Sequence, residues 1–232
     1  CLKYLKTHDY EVISLRQIVN ALISGSPLPD KAVAFTLDDG FYDQAEKALP
    51  LFERYQAPVT VFLATDMQDE QYWSWDYKLE YLFKHAVERQ FLFDFGTGET
   101  VYDFGTQDTR RCLVRRLRNY YKQKPNKDAE KAVADFSSRL QVELPALAPA
   151  EYQSISWEQA RALESRYVEF GPHTKRHPIL SRLSDDEAKE EIEGSWHALS
   201  ANLANPLPVF CFPSGREGID FGPREKTMAA AA

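Results

Sequence analysis

The sequence predicts an α/β protein in which strands and helices alternate, interrupted near the middle by an inserted segment of helices and a hairpin. Apolar runs with the length and composition of buried strands recur at residues 31–37, 58–64, 167–171 and 208–213. Capping boxes of the form Ser-x-x-Gln or Ser-x-x-Glu mark helix starts at Ser14, Ser156 and Ser184. Because strands alternating with helices are typical of parallel sheets, we expect a parallel sheet or barrel.

The elements before the insertion follow one another in a regular order. A short strand at 10–14 leads into the helix that Ser14 opens. A helix at about 43–55 then joins the strand at 31–37 to the strand at 58–64. This order favours a parallel arrangement of the two strands, because a helix connects them.

Between residues 66 and 155 the alternation stops. The stretch at 73–86 predicts a helix, and FLFDFGTGETVYDF predicts a hairpin that turns at 96–99. Two charged helical stretches follow and end at a proline-containing linker. We interpret residues 66–155 as an insertion within a single domain that covers 1–232.

The charge and apolar pattern exclude several classes of partner. The formal net charge is −7, so no overall basic field attracts nucleic acid. No apolar run reaches membrane-spanning length, so we expect no membrane span.

We find no signal peptide, but the chain begins at Cys1 without an initiator Met. Bacterial cytoplasm and cell envelope therefore both stay open as locations.

The cysteines do not form a metal or disulfide pattern. Cys1, Cys112 and Cys211 are widely spaced. An odd number at such distances argues against a disulfide framework and against a thiolate zinc site.

Two adjacent carboxylates end the strand at 31–37 and raise the main chemical question. Asp38 and Asp39 lie at the end of this strand, just before Gly40. In parallel α/β sheets and barrels, ligands bind at the carboxyl ends of the strands. Burying two negative charges is costly without a partner. The alternative is that one aspartate caps the next helix while the other is solvated.

A histidine pair after another strand favours a metal site. His173 and His177 lie four residues apart, a spacing that lets both imidazoles face one metal ion on a helical turn. Two imidazoles and one carboxylate suit zinc or another first-row metal and leave positions open for water and substrate. The same ligand types occur in non-haem iron oxygenases, but the order with Asp first on an α/β pattern opposes that alternative.

A tight turn follows the apolar run at 208–213. Pro213, Ser214 and Gly215 make a turn that could present backbone N–H groups to an anion.

The order of TLDDG, HTKRH and FPSG resembles the polysaccharide deacetylases of carbohydrate esterase family 4, the NodB-homology family. The resemblance covers residues 1–65 and 155–220. It implies a distorted (β/α) barrel of about seven strands. It also implies a hydrolase that removes acetyl groups from N-acetylated sugars of a polysaccharide or glycan precursor.

The same resemblance implies roles for particular residues. Asp39, His173 and His177 would bind a divalent metal, most often Zn²⁺, with Co²⁺, Ni²⁺ or Mn²⁺ as alternatives. Asp38 would be the general base, and the Ser214 backbone N–H would help to hold the oxyanion.

Substrate contacts are expected from a few further residues. Pro213 lies in the third motif, and Trp75 in the insertion could stack on a sugar ring. Trp73 and Tyr77 share that option, and the alternative for these aromatics is burial in a satellite core.

The chain departs from the family pattern at two positions. Cys211 stands where members often carry Arg, and Ser214 where they carry an aromatic residue. No counterpart of the family's general-acid His is found, so we expect that residue beyond 232 and interpret His8, His85 and His197 as surface residues. A catalytically weak, carbohydrate-binding member of the family is therefore the alternative function.

The basic run at 110–124 has two interpretations. It is either a solvated helix face or a phosphate-binding strip, and the second would indicate a lipid-linked or phosphorylated glycan.

Overall fold

The computed structural model describes residues 1–70 and 72–232, and at its centre is a parallel three-stranded sheet. Its strands are β3 (Thr36–Asp39), β4 (Val59–Leu63) and β7 (Val168–Pro172), in the order β3-β4-β7. Asp39 pairs with Leu63, which in turn pairs with Pro172. All three strands therefore end at one edge of the sheet, and the residues that follow them meet there.

The N-terminal part adds two helices and a second small sheet. α1 (Leu2–Thr7) precedes β1 (Glu11–Val12), and α2 (Leu15–Ser24) precedes β2 (Ala32–Val33). β1 and β2 pair in parallel. The strand predicted at 31–37 is thus two strands, β2 and β3.

The predicted capping boxes are confirmed at all three helix starts. The side chains of Ser14, Ser156 and Ser184 each accept a hydrogen bond from the backbone N–H three residues later. They open α2, α7 (Trp157–Leu163) and α8 (Asp185–Asn202).

The remaining helical segments complete the main body. A π-helical turn at Gln44–Ala48 runs into α3 (Leu49–Tyr55), where one helix was predicted at about 43–55. Short 3-10 turns occupy Thr65–Glu70, Ala150–Tyr152 and Leu180–Arg182, and α9 is Pro223–Ala231. None of the helices in the described part of the chain has both the length and the apolar character needed to cross a bilayer.

The segment predicted to be an insertion, called the insertion below, has its own hydrophobic core. It comprises α4 (Trp75–His85), the antiparallel strands β5 (Gln90–Asp94) and β6 (Glu99–Asp103), α5 (Gln107–Tyr121) and α6 (Asn126–Leu140). Phe83, Phe104 and Phe136 are fully buried in this core. A separate core, which includes Val61 and Phe170, packs around the central sheet. The predicted helix, hairpin and pair of charged helices are all present.

The predicted α/β fold class is confirmed, with the strands in three sheets that are not closed in the described part of the chain. One strand expectation needs correction. The run at 208–213 is not a strand, although the Leu207 and Cys211 N–H groups donate to β7 carbonyls. Pro208 has no N–H to donate, and the Val209 N–H turns back to Leu207, so a regular ladder cannot form.

Candidate metal centre

Asp39 is the last residue of β3 and is held in an unusual backbone conformation. Its φ is 72°, and Gly40 follows at 73°. A Cβ at Gly40 would lie 2.3 Å from the Leu63 side chain, so only glycine fits there. The tight turn leaves the Asp39 side chain buried at the carboxyl edge of the sheet. Such strain is often found at functional sites.

The two histidines lie just after β7, at the same edge of the sheet. They are carried by an irregular turn and not by the helical turn that their spacing predicted. Thr174 and His177 have φ values of 66° and 57°. The Thr174 hydroxyl accepts a hydrogen bond from the His177 N–H at 3.0 Å.

A half-buried carboxylate on α8 holds the tip of this turn. Glu191 Oε2 accepts hydrogen bonds from the backbone N–H groups of Lys175 and Arg176, each at 2.9 Å. Burial raises the pKa of Glu191. The fold therefore fixes the turn between the two histidines from outside.

Asp39 and the two imidazoles converge on one point. Asp39 Oδ1 lies 3.8 Å from His173 Nε2 and 3.6 Å from His177 Nε2. Oδ1 is buried and has no hydrogen-bond partner among the described residues. An unpartnered buried carboxylate oxygen facing two imidazole nitrogens fits a divalent cation, because a metal would satisfy all three atoms.

The state of His173 suits a metal ligand. Its Nδ1 lies 2.8 Å from the Cys211 carbonyl oxygen, so Nδ1 carries the proton and Nε2 presents its lone pair toward Asp39. Burial, followed by the nearby His177, lowers the pKa of His173. The imidazole is therefore neutral near pH 7, as metal binding requires.

The other carboxylate oxygen of Asp39 is bound by the insertion. The Tyr77 hydroxyl on α4 donates to Asp39 Oδ2 at 3.1 Å. Burial and the neighbouring Asp39 raise the pKa of Tyr77, so the hydroxyl stays protonated. The sequence marked Tyr77 only as an aromatic of the insertion and gave no signal for this contact.

Asp38 is exposed and points to a thiol. Its Oδ1 lies 3.9 Å from Cys211 Sγ, and its backbone oxygen accepts a hydrogen bond from Gln44 at 2.7 Å. Burial, then Asp38 and Asp39, raise the pKa of Cys211 to about 12. Asp38, His173 and Cys211 also present potential ligand atoms within 4.8 Å of one another. Because a thiol ligates as its thiolate, the set around Asp39 suits a metal better.

Ser214 has a strained backbone and a cation beside it. Its φ is 52°, and its hydroxyl accepts a hydrogen bond from Lys122 Nζ at 2.7 Å. No described residue accepts a hydrogen bond from the Ser214 N–H. Within the basic run at 110–124, nothing in the sequence distinguished Lys122 from its neighbours.

Burial, the alternative given for the aromatic residues of the insertion, holds for both tryptophans. Trp75 is only 8% exposed and packs in the core of the insertion, so its ring is not available to stack on a sugar. Trp73 is buried in a small cluster with Tyr152. Pro213 is buried as well, and its role as a substrate contact stays a prediction. His8, His85 and His197 are exposed, as predicted.

The sequence also matches a family model described as polysaccharide deacetylase, over residues 25–228. The chain belongs to the polysaccharide deacetylase family. A curated relative in this family, the poly-beta-1,6-N-acetyl-D-glucosamine N-deacetylase of Escherichia coli K12, is 36% identical over 55 residues. That match covers 24% of this chain and 8% of the relative.

Solved deacetylase structures share the fold at low sequence identity. The Streptococcus pyogenes deacetylase PplD in complex with acetate aligns with a TM-score of 0.58 at 16% identity, over 99% of this chain and 65% of that chain. The BpsB deacetylase domain from Bordetella bronchiseptica aligns with a TM-score of 0.57 at 14% identity, over 99% of this chain and 71% of that chain. A de-N-acetylase from Aggregatibacter actinomycetemcomitans aligns with a TM-score of 0.55 at 15% identity, over 99% of this chain and 71% of that chain.

Proposed function

We propose that this deacetylase-family chain is a metal-dependent hydrolase that removes acetyl groups from N-acetylated sugars of a polysaccharide or glycan precursor. The observation that carries the proposal is the buried Asp39 Oδ1, which lies near the Nε2 atoms of His173 and His177 and has no hydrogen-bond partner among the described residues. The names of the deacetylases that the chain resembles support an N-acetylated glycan as the substrate.

Asp39, His173 and His177 would hold the divalent cation, with Zn²⁺ the first candidate for this donor set. When bound, such a cation polarises a carbonyl and lowers the pKa of a coordinated water to about 7. Tyr77 and the Cys211 carbonyl would keep Asp39 and His173 in position, because they bind Asp39 Oδ2 and His173 Nδ1, the side-chain atoms that would not hold the cation.

Two further groups of the chain have roles in the proposed hydrolysis. Asp38 is exposed beside the centre and is not needed as a ligand, so it is available to accept the proton of the attacking water. The Ser214 N–H has no acceptor among the described residues and is available to the carbonyl oxygen as that oxygen becomes negative.

A second candidate function is a catalytically weak member that binds glycans. The contact between Asp38 and Cys211 favours it, because a neutral thiol at 3.9 Å replaces the charged partner expected for a general base. Hydrolysis of an N-acetylated sugar oligomer by the metal-loaded protein separates the two candidates.

The decisive experiment compares Asp38→Asn with His177→Ala. Asp38→Asn is expected to keep the metal and lose hydrolysis, whereas His177→Ala loses both. Asp43→Asn, an exposed aspartate just beyond the motif, is the matched control and is expected to behave like the parent. Metal content by elemental analysis and acetate release are measured on each protein. A parent without bound metal, or an Asp38→Asn variant as fast as the parent, would contradict the proposal.

A further inference from the structure

A basic groove lies between α4 and α5 of the insertion, outside the candidate metal centre. It has a volume of about 510 Å³. The groove is lined by five cationic side chains, Lys84, Arg110, Arg111, Arg115 and Arg118. The carboxylate of Glu80 lines it as well. This concentration of positive charge stands out in a chain whose formal net charge is −7.

Not all of these cations are neutralised within the protein. Arg118 pairs with Glu80 at 2.7 Å, and Lys84 pairs with Glu151. Arg111 and Arg115 are exposed, and no carboxylate of the described residues lies within ion-pair distance of either guanidinium. The groove therefore keeps a surplus of positive charge that its own acidic residues do not balance.

The arginines form one stripe of α5 that leads to Ser214, in the third motif. Arg111, Arg115, Arg118 and Lys122 follow the spacing of a single helix face. The stripe ends at Lys122, which donates to Ser214. Its length is about 16 Å, from the rise of an α-helix over eleven residues.

A further contact connects the groove to the candidate metal centre. The Arg118 guanidinium lies 5.5 Å from the centre of the Tyr77 ring, and Tyr77 donates to Asp39. Only one side chain thus separates the inner end of the groove from a predicted metal ligand. A glycan that places an acetamido group at the centre could extend along this stripe.

We infer that the α4–α5 groove is a binding subsite for an anionic part of the glycan, carrying carboxylate or phosphate oxygens. Arginine favours such groups because its planar fork donates two hydrogen bonds to one carboxylate or phosphate. The assignment of this ligand to the substrate rests on the proposed function, whereas anion binding itself does not require hydrolysis or metal.

The test measures anion binding to the whole 232-residue chain by calorimetry at low salt. The probes are trigalacturonate, which offers carboxylates, and inorganic pyrophosphate, which offers phosphates. The double variant Arg111→Glu/Arg115→Glu is expected to bind the better probe at least about tenfold more weakly than the parent. Raised salt is expected to weaken binding to the parent, because exposed charges are screened.

A control with equal charge change distinguishes the groove from general electrostatics. Lys127→Glu/Lys131→Glu places the same two reversals four residues apart on α6, where both lysines are exposed. This control is expected to bind within about twofold of the parent, because its charges lie outside the groove. The milder Arg111→Gln/Arg115→Gln replaces the reversal variant if that protein does not fold.

Each outcome decides the inference. A selective loss in the groove variants supports it, and the tighter probe identifies carboxylate or phosphate as the recognised group. No binding of either probe to the parent, or equal losses in both double variants, overturns it. Metal content measured separately on the parent shows whether the proposed function fails independently.

Discussion

The Tyr77 hydroxyl donates to Asp39 Oδ2 at 3.1 Å, which leaves Asp39 Oδ1 facing His173 and His177. The donor comes from the insertion and the acceptor from the central sheet. One hydrogen bond thus leaves Asp39 Oδ1 to face the imidazoles, and the candidate metal centre depends on both parts of the chain.

Tyr77→Phe is therefore expected to weaken divalent-metal affinity by about tenfold, because partners of metal ligands usually contribute that much. Competition with a fluorescent chelator measures the affinity directly. Tyr81→Phe is the matched control, since Tyr81 lies one helical turn along α4 in the same aromatic cluster. Equal affinities in the two variants would show that the Tyr77 hydroxyl does not position Asp39.

Glu191 allows a similar test from the opposite side of the centre. Glu191→Ala removes the acceptor for the Lys175 and Arg176 N–H groups. The turn that carries His177 is then less fixed, and we expect weaker metal binding together with a loss of about 1–3 kcal/mol in unfolding free energy.

Glu190→Ala is the control for that variant. Glu190 is the neighbouring residue on α8, and its exposed carboxylate pairs with the Lys175 side chain. Surface ion pairs contribute about 0–1 kcal/mol, so this variant is expected to keep the parent's metal affinity. Chemical denaturation and metal competition are measured on both proteins, and a Glu190→Ala effect as large as that of Glu191→Ala would contradict the assignment.

The sequence predicted the ends of the three sheet strands to within about two residues, and that was enough to bring three distant candidate ligands together. Asp39 ends β3 and His173 follows β7, and parallel strands in one sheet end at one edge. The backbone conformation of residues 173–177 could not be predicted, because Thr174 and His177 adopt positive φ values that the spacing of the histidines does not indicate.

The contacts from the insertion could not be predicted for a different reason. Tyr77 lies 38 residues from Asp39, and Lys122 lies 92 residues from Ser214. Neither pair shares a motif, and the packing of the insertion on the main body brings them together. A helix pattern predicts which residues share a face of α4 or α5, but not which part of another element that face meets.

The buried imidazole predicts a pH dependence in the metal-free protein. Burial lowers the pKa of His173 in the native state. Below about pH 6.5 the imidazole is therefore protonated in the unfolded chain, whereas in the native state it stays neutral to a lower pH. Stability is then fully present above the unfolded pKa and falls as the pH drops through the window below it. Melting temperatures of chelator-treated protein at about pH 7.5 and pH 5.5 measure this loss.

His173→Asn removes that titration, and its loss of melting temperature on acidification is expected to be smaller than the parent's. His85→Asn replaces an exposed histidine and is expected to follow the parent. If the slope of stability against pH is the same in all three proteins, the proton linkage lies elsewhere.

The last prediction concerns the cation beside Ser214. Under the proposed function the carbonyl oxygen gains negative charge close to the Ser214 N–H, and Lys122 holds the Ser214 hydroxyl at 2.7 Å. An ammonium group so placed stabilises developing charge and also restrains a residue with positive φ. Lys122→Gln keeps a hydrogen-bond donor but removes the charge, so kcat is expected to fall by about tenfold with metal affinity unchanged.

Lys124→Gln is the matched control, because Lys124 lies two residues further on and its ammonium faces the Tyr120 ring. Acetate release from an N-acetylglucosamine oligomer gives kcat and KM for each protein. A Lys122→Gln variant that changes only KM would assign the lysine to substrate binding, and one that matches Lys124→Gln in both constants would remove it from the reaction.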